Sequence, residues 1–114
     1  MSTAAVDLKH LGRYTGGSRT LNSEILQLFV GQSADLMRQL QGVIEAQDSK
    51  TWRHITHSLK GAARGIGAFA LADAAAEAEP LDPAVQRVEA LAMLFALRAR
   101  AEAVQDFIEA YLGH

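Results

Sequence analysis

Cysteine is absent from the 114 residues, which excludes disulfides, thiolate metal sites and cysteine nucleophiles and is compatible with a reducing compartment. Proline occurs only at Pro80 and Pro83, and no alternation of β-branched residues marks a strand. No apolar run approaches the roughly 20 residues that a membrane-spanning helix needs, so no membrane contact is expected. The opening stretch, MSTAAVDLKHL from Met1 to Leu11, lacks the basic region and long apolar run of a secretory signal. Neither sign of charge dominates: eleven Lys and Arg against thirteen Asp and Glu leave a formal net charge of -2, which gives no reason to expect nucleic-acid binding. A cytoplasmic location is the expectation.

What is present is a helical composition. Apolar residue types make up 49% and charged ones 21%, proportions of a folded globular chain, and the length suits one domain over residues 1–114. Ala, Leu, Gln, Glu and Arg abound, so the fold class is all-α. A short first helix is expected near Asp7 to Tyr14, closed by Gly16 and Gly17. A second is expected to start at Asn22 or Ser23, with Leu21 stapled onto Leu26, and to run to about Ala46. Its apolar positions Ile25, Phe29, Leu36, Leu40, Val43 and Ile44 form one stripe, with Gly42 as a weak point.

A third helix is expected from Asp48 or Ser49, with Trp52, Ile55, Leu59, Ala62 and Ile66 inward, ending near Gly65 and Gly67. Trp52 and Phe29 read as core anchors, while Phe69 suits either the core or the rim of a docking surface. The alanine-rich segment from Ala70 to Ala78 is a fourth helix that can approach its neighbours closely, stopped by Pro80. Asp82 followed by Pro83 reads as the start of a long last helix. Val85, Val88, Leu91, Phe95, Val104, Ile108 and Tyr111 are its expected stripe and Gly113 its end. Amphipathic helices with short connections imply an antiparallel four-helix bundle with a short additional N-terminal helix. One accessible site per bundle favours a monomer.

The third helix separates two sets of residues. At about 100° per residue, its apolar positions fall within about 80° of arc, and His57 lies roughly 180° from their centre. His57 is therefore expected to face water. Arg53, Lys60 and Arg64 fall on the same outward side, so the ring sits in a strip of cations. Gly61 lies one turn beyond His57 although glycine costs about 1 kcal/mol relative to alanine in an exposed helix interior. Access is a reason to keep it: without a side chain there, another backbone or a phosphoryl group can come close to the imidazole. Gly65 continues the low relief. A lone histidine on a helix is usually only a polar surface residue, but an imidazole with a pKa near neutrality keeps a free lone pair that can attack a phosphoryl group. Lys60, and with it Arg64, can offset the negative charge of that group.

The run His57-Ser58-Leu59-Lys60-Gly61, followed by Ala62, Ala63, Ile66 and Gly67, resembles the signature H-x-L-K-G-x-[SA]-x-x-[LIV]-G of histidine-containing phosphotransfer (HPt) domains. The resemblance extends to Asp7 and Leu11, to Leu26, Leu28 and Phe29, to Asp48 and Trp52 ahead of His57, and to the alanine-rich fourth helix; the last helix resembles the family in pattern alone. The resemblance implies a helical bundle in a two-component phosphorelay. In it, the residue matching His57 takes a phosphoryl group from the aspartyl phosphate of one receiver domain, of a response regulator or hybrid histidine kinase, and hands it to another. It further implies that Lys60 helps hold the phosphoryl group and that Gly61 gives it room. No metal or cofactor is expected on this chain, since the magnesium belongs to the receiver. Arg64 and Gly65 stand where many relatives carry small or amide residues; with Arg53 they are the candidate partner-docking positions.

Three rival readings have discriminating features. A metal-binding bundle using His54 and His57 lacks the inward Glu-x-x-His pairs of such sites, and cations flank His57 where a metal prefers anions. His54 lacks the following Leu-Lys-Gly and reads as a solvated neighbour. An ATP-dependent histidine kinase would need a nucleotide-binding domain, for which there is no GxxxxGK[ST] loop and no room; a covalent carrier rather than an enzyme is expected. A non-transferring helical adaptor that docks a receiver remains the alternative.

Overall fold

The computed structural model describes residues 4–113. Through them run five helices: α1 (Leu8–Thr15), α2 (Arg19–Glu45), α3 (Ser49–Ile66), α4 (Phe69–Ala78) and α5 (Arg87–Leu112). The long helices touch in a closed order, α2 on α3, α3 on α4, α4 on α5 and α5 back on α2, while α1 lies across α2 and α3. Hence α3 and α5 occupy opposite corners. Their shared interior is filled by Leu26, Leu40, Ile44, Trp52, Ile55, Leu59, Leu71, Leu97 and Ile108, with the alanines of α4 closing the space between α3 and α5.

Local chemistry explains most boundaries. Asp7 and Asp48 each accept a backbone N–H three residues on, from His10 and Thr51, which caps α1 and α3. Gly16 (φ 65°) and Gly67 (φ 82°) close those helices in the left-handed conformation. At Gly67 the requirement is double, because the Asp7 N–H donates to the Gly67 carbonyl at 2.9 Å and pulls the N-terminal segment onto the end of α3.

Two boundaries differ from the sequence expectation. α2 begins at Arg19 because Ser18, not Asn22 or Ser23, accepts the Leu21 N–H. The extra turn is held from outside, by the Arg19 guanidinium lying 4.4 Å over the Tyr111 ring. Leu21 is consequently exposed rather than stapled. At the other end, Asp82 and Pro83 start only an isolated turn. The Asp82 carboxylate is occupied by the Ser49 hydroxyl and the Ala84 N–H, Gln86 is non-helical (φ -123°), and α5 starts at Arg87.

The expected stripe of α5 also needs correction. Val85, Val88 and Phe95 are 79%, 76% and 73% exposed, and the buried face is made by Ala90, Leu94, Leu97, Val104 and Ile108. Val88 and Phe95 lie roughly half a turn around the helix from Val104 and Ile108, so one stripe cannot hold them all.

Candidate functional site

α3 carries the site, and its orientation is set by the groups it buries. Trp52 is fully buried, and its indole N–H donates to the Ala78 carbonyl at 2.8 Å. This bond fixes the C-terminal end of α4 beside the N-terminal part of α3. Thr56 and Ala63 are buried together with the expected Trp52, Ile55, Leu59 and Ile66, while Ala62 is only half-buried. The inward arc is thereby turned by about 30° from the expected one, toward the flank carrying Lys60. That flank faces the end of α4, so Lys60 is half-buried there, whereas Arg53, His54, Arg64 and Gly65 are exposed.

His57 faces solvent as expected, its side chain 70% exposed. Its surroundings are not a simple strip of cations. Glu79, the residue that ends α4 just before Pro80, brings one carboxylate oxygen to 2.7 Å from the His57 Nδ1 and the other to 3.0 Å from the Lys60 Nζ. The hydrogen bond from Lys60, followed by that from His57, holds the Glu79 carboxyl below the usual carboxylate range, so at neutral pH it is an acceptor only. The proton in the His57–Glu79 bond therefore sits on Nδ1, and in the neutral ring the lone pair is on Nε2, which has no partner among the described residues.

Around the ring is an open depression of about 330 Å³ lined by Lys50, Arg53, His54, His57 and Glu79. Arg53 and the unanticipated Lys50 thus share it with the imidazole. Arg64 stands two turns further along α3, about 10 Å from His57 along the axis. A Cβ added at Gly61 or at Gly65 would meet nothing within 4 Å, so the low relief beyond the ring is open to an approaching group. Among the described residues, no three His, Asp or Glu side chains converge as a metal site, and no helix is long and apolar enough to cross a membrane. A larger groove, about 450 Å³, lies between α2 and α5 against Phe29, Met37 and Arg98, and His57 does not line it.

Chemically, this is a nucleophile with one nitrogen anchored and one free. The carboxylate fixes the tautomer, orients the ring and can stabilise positive charge that develops on it when Nε2 forms a bond. The ammonium, 3.0 Å from the same carboxylate, is placed to compensate added negative charge. Glu79 was not among the residues singled out from the sequence. A signal for it exists, since His57 and Glu79 are equidistant from Ala68, where the α3–α4 hairpin reverses; residues equidistant from a tight helical reversal come face to face.

The chain's similarities point the same way. The family model described as "Hpt domain" matches residues 24–110, about three quarters of the chain. Comparison with curated proteins gives no match. Among solved structures, the crystal structure of histidine-containing phosphotransfer protein B (HptB) from Pseudomonas aeruginosa PAO1 superposes with a TM-score of 0.84. It is 25% identical over 99% of this chain and 99% of that one.

Proposed function

The chain belongs to the Hpt domain family and has a histidine phosphotransfer role in a phosphorelay; on that premise we propose that His57 is the residue that carries the phosphoryl group. The observation that supports this most directly is an exposed imidazole whose Nδ1–H is tied to Glu79 at 2.7 Å, leaving Nε2 free toward solvent.

The group comes from the aspartyl phosphate of a receiver domain and goes on to a second receiver. In the step, the Nε2 lone pair attacks phosphorus, the phosphorus–oxygen bond of the acyl phosphate breaks, and the donor aspartate leaves as a carboxylate. The Nδ1 proton stays in its bond to Glu79, so no proton has to leave for the nitrogen–phosphorus bond to form. Lys60 compensates the charge of the phosphoryl group, and Gly61 leaves room for it. Arg53, Arg64 and Gly65 meet the receiver, and the magnesium and acid–base chemistry are the receiver's.

Phosphocarriers of this family are not enzymes in the ordinary sense; in keeping with that, this chain neither phosphorylates itself nor uses ATP. We read residues 1–114 as one cytoplasmic domain, an antiparallel four-helix bundle of α2 to α5 with α1 as the additional helix, a reading that the closed order of helix contacts supports. The test is incubation with a phosphorylated receiver. An acid-labile, alkali-stable label is expected on the unmodified chain and absent from His57→Gln, with receiver docking kept. A label that survives in His57→Gln overturns the assignment; docking without any label favours the adaptor reading.

A further inference from the structure

We propose that α5 pairs, antiparallel, with the α5 of a second copy of this chain, about a two-fold axis between Leu94 and Phe95. The observation is a second apolar face. Val88, Ala92, Phe95 and Ala99 are all exposed and recur at intervals of four, three and four, the spacing of a helix–helix seam. They lie opposite the face that α5 buries in its own core. With Val85 exposed just ahead of them, they make a continuous strip rather than the scattered apolar residues that any surface carries.

The charges flanking the strip indicate a second copy as its occupant. Arg87 and Glu102 stand on one side of the strip, Glu89 and Arg100 on the other. None of the four makes an ion pair among the described residues. About an antiparallel two-fold axis, each flank meets the same flank of the other copy. With the axis between Leu94 and Phe95, Arg87 falls opposite Glu102 of the second copy and Glu89 opposite Arg100 of the second copy. One register therefore satisfies both flanks, and the symmetry repeats each pair. In the same register Val88 enters between Ala99 and Ala103 of the second copy, and Phe95 packs beside its own symmetry mate. A parallel pairing would set opposite flanks together, Arg87 against Glu89 and Glu102 against Arg100, but with Arg98 against Arg100 as a like-charge contact that the antiparallel register avoids.

α5 is diagonal to α3 in the closed order of helix contacts, so His57 of each copy stays uncovered. The overlap, residues 87 to 102, is about 24 Å long, which places the interface at the small end of specific ones. A weak dimer is the consequence, with Kd of about 10 to 100 µM.

Sedimentation of the full chain from about 5 µM to 1 mM tests it, with helical circular dichroism confirming that each variant folds. The unmodified chain is expected to dimerise in that range, and Phe95→Asp to stay monomeric throughout. Arg100→Glu and Glu89→Arg should each weaken pairing about tenfold or more, since each appears twice and sets like charges together. The double variant Glu89→Arg/Arg100→Glu should restore it to within about threefold. An unmodified chain that is monomeric at 1 mM overturns the proposal. So does pairing indifferent to Phe95→Asp, or a double variant no better than the singles.

Discussion

Replacing Gly67 by alanine separates what the last glycine of the His57 segment does from what the histidine does. Gly67 sits at φ 82°, and a Cβ there would lie 2.7 Å from the Asp7 carbonyl oxygen and 3.1 Å from both the Asp7 N and Cβ. The left-handed backbone alone costs an L-residue about 1 kcal/mol. The contact is with backbone, so it can be relieved only by moving the N-terminal segment, which breaks the 2.9 Å bond from the Asp7 N–H, worth about 1 kcal/mol net. The same movement partly uncovers Val6 and Leu11, each 1% exposed, for a further 1 to 2 kcal/mol or so. The total, about 3 to 4 kcal/mol, corresponds to a fall in Tm of roughly 12 to 16 °C for a domain of this size. Gly65→Ala is the control: its Cβ meets nothing within 4 Å, and in an exposed helix interior alanine should stabilise by about 0.5 to 1 kcal/mol. Urea and thermal unfolding of the two variants measure both numbers. Because Gly67 is ten residues from His57, any Gly67→Ala protein that remains folded should transfer phosphoryl groups at the unmodified rate. A Gly67→Ala chain within 0.5 kcal/mol of the original would refute the clamp, and an unchanged stability with lost transfer would assign the glycine to the site.

Other substitutions act on the site itself. Glu79→Gln keeps an acceptor for the Nδ1 proton but removes the charge, and transfer onto His57 should slow about tenfold; Glu79→Leu removes both and should slow it about a hundredfold. Equal single-turnover rates in all three proteins would end the anchoring argument. Gly61→Ala should raise stability by about 1 kcal/mol while slowing transfer, and a stabilised variant with unchanged transfer would show that access is not what the glycine provides. The Asp48 carboxyl is held below its ordinary range first by the Thr51 hydroxyl, Asp82 first by the Ser49 hydroxyl, and Glu79 first by Lys60. All three are depressed, so their contribution is present above the unfolded carboxylate range and lost as pH falls through the folded values. The stability that these three carboxylates supply should be level above about pH 5 and decline below about pH 4. Asp48→Asn should flatten part of that decline, and an unchanged acid profile would count against the cap as its source.

The parts of this molecule legible in the sequence are those decided within a few residues. The caps at Asp7 and Asp48, the glycine reversals at Gly16 and Gly67, the stop at Pro80 and the outward position of His57 all follow from chemistry inside one or two turns. What failed depends mostly on distant partners. The Ser18 cap of α2 is local, one of several short polar residues able to start the helix, but its first turn is also held by Arg19 reaching Tyr111, and the turn at Asp82 rests on Ser49, both far away in sequence. The stripe of α5 failed for another reason. Its small and apolar residues populate two opposite faces, so a periodicity search can start on one and drift to the other; only the packing of Leu94 and Leu97 against the core tells which is inside.

Glu79 belongs to the distant class, and on the reading of His57 as the carrier it governs the chemistry most closely. A carrier must give up what it accepts. A carboxylate committed wholly to the ring would favour the cationic, phosphorylated imidazole and hold the group back, whereas a ring with no carboxylate would be free to rotate and to present either nitrogen. Here one carboxylate divides its two oxygens between the imidazole at 2.7 Å and the ammonium at 3.0 Å. The ring keeps its orientation while part of the negative charge is answered by Lys60. Removing Lys60 should therefore do more than weaken the grip on the phosphoryl group. It leaves Glu79 to the ring alone, so Lys60→Met should lengthen the lifetime of the phosphorylated imidazole and slow onward transfer to an acceptor receiver. Lys60→Arg, which keeps the charge beside Glu79, should restore the original rate of onward transfer. An onward transfer rate that ignores both substitutions would mean that the carboxylate is not shared in solution.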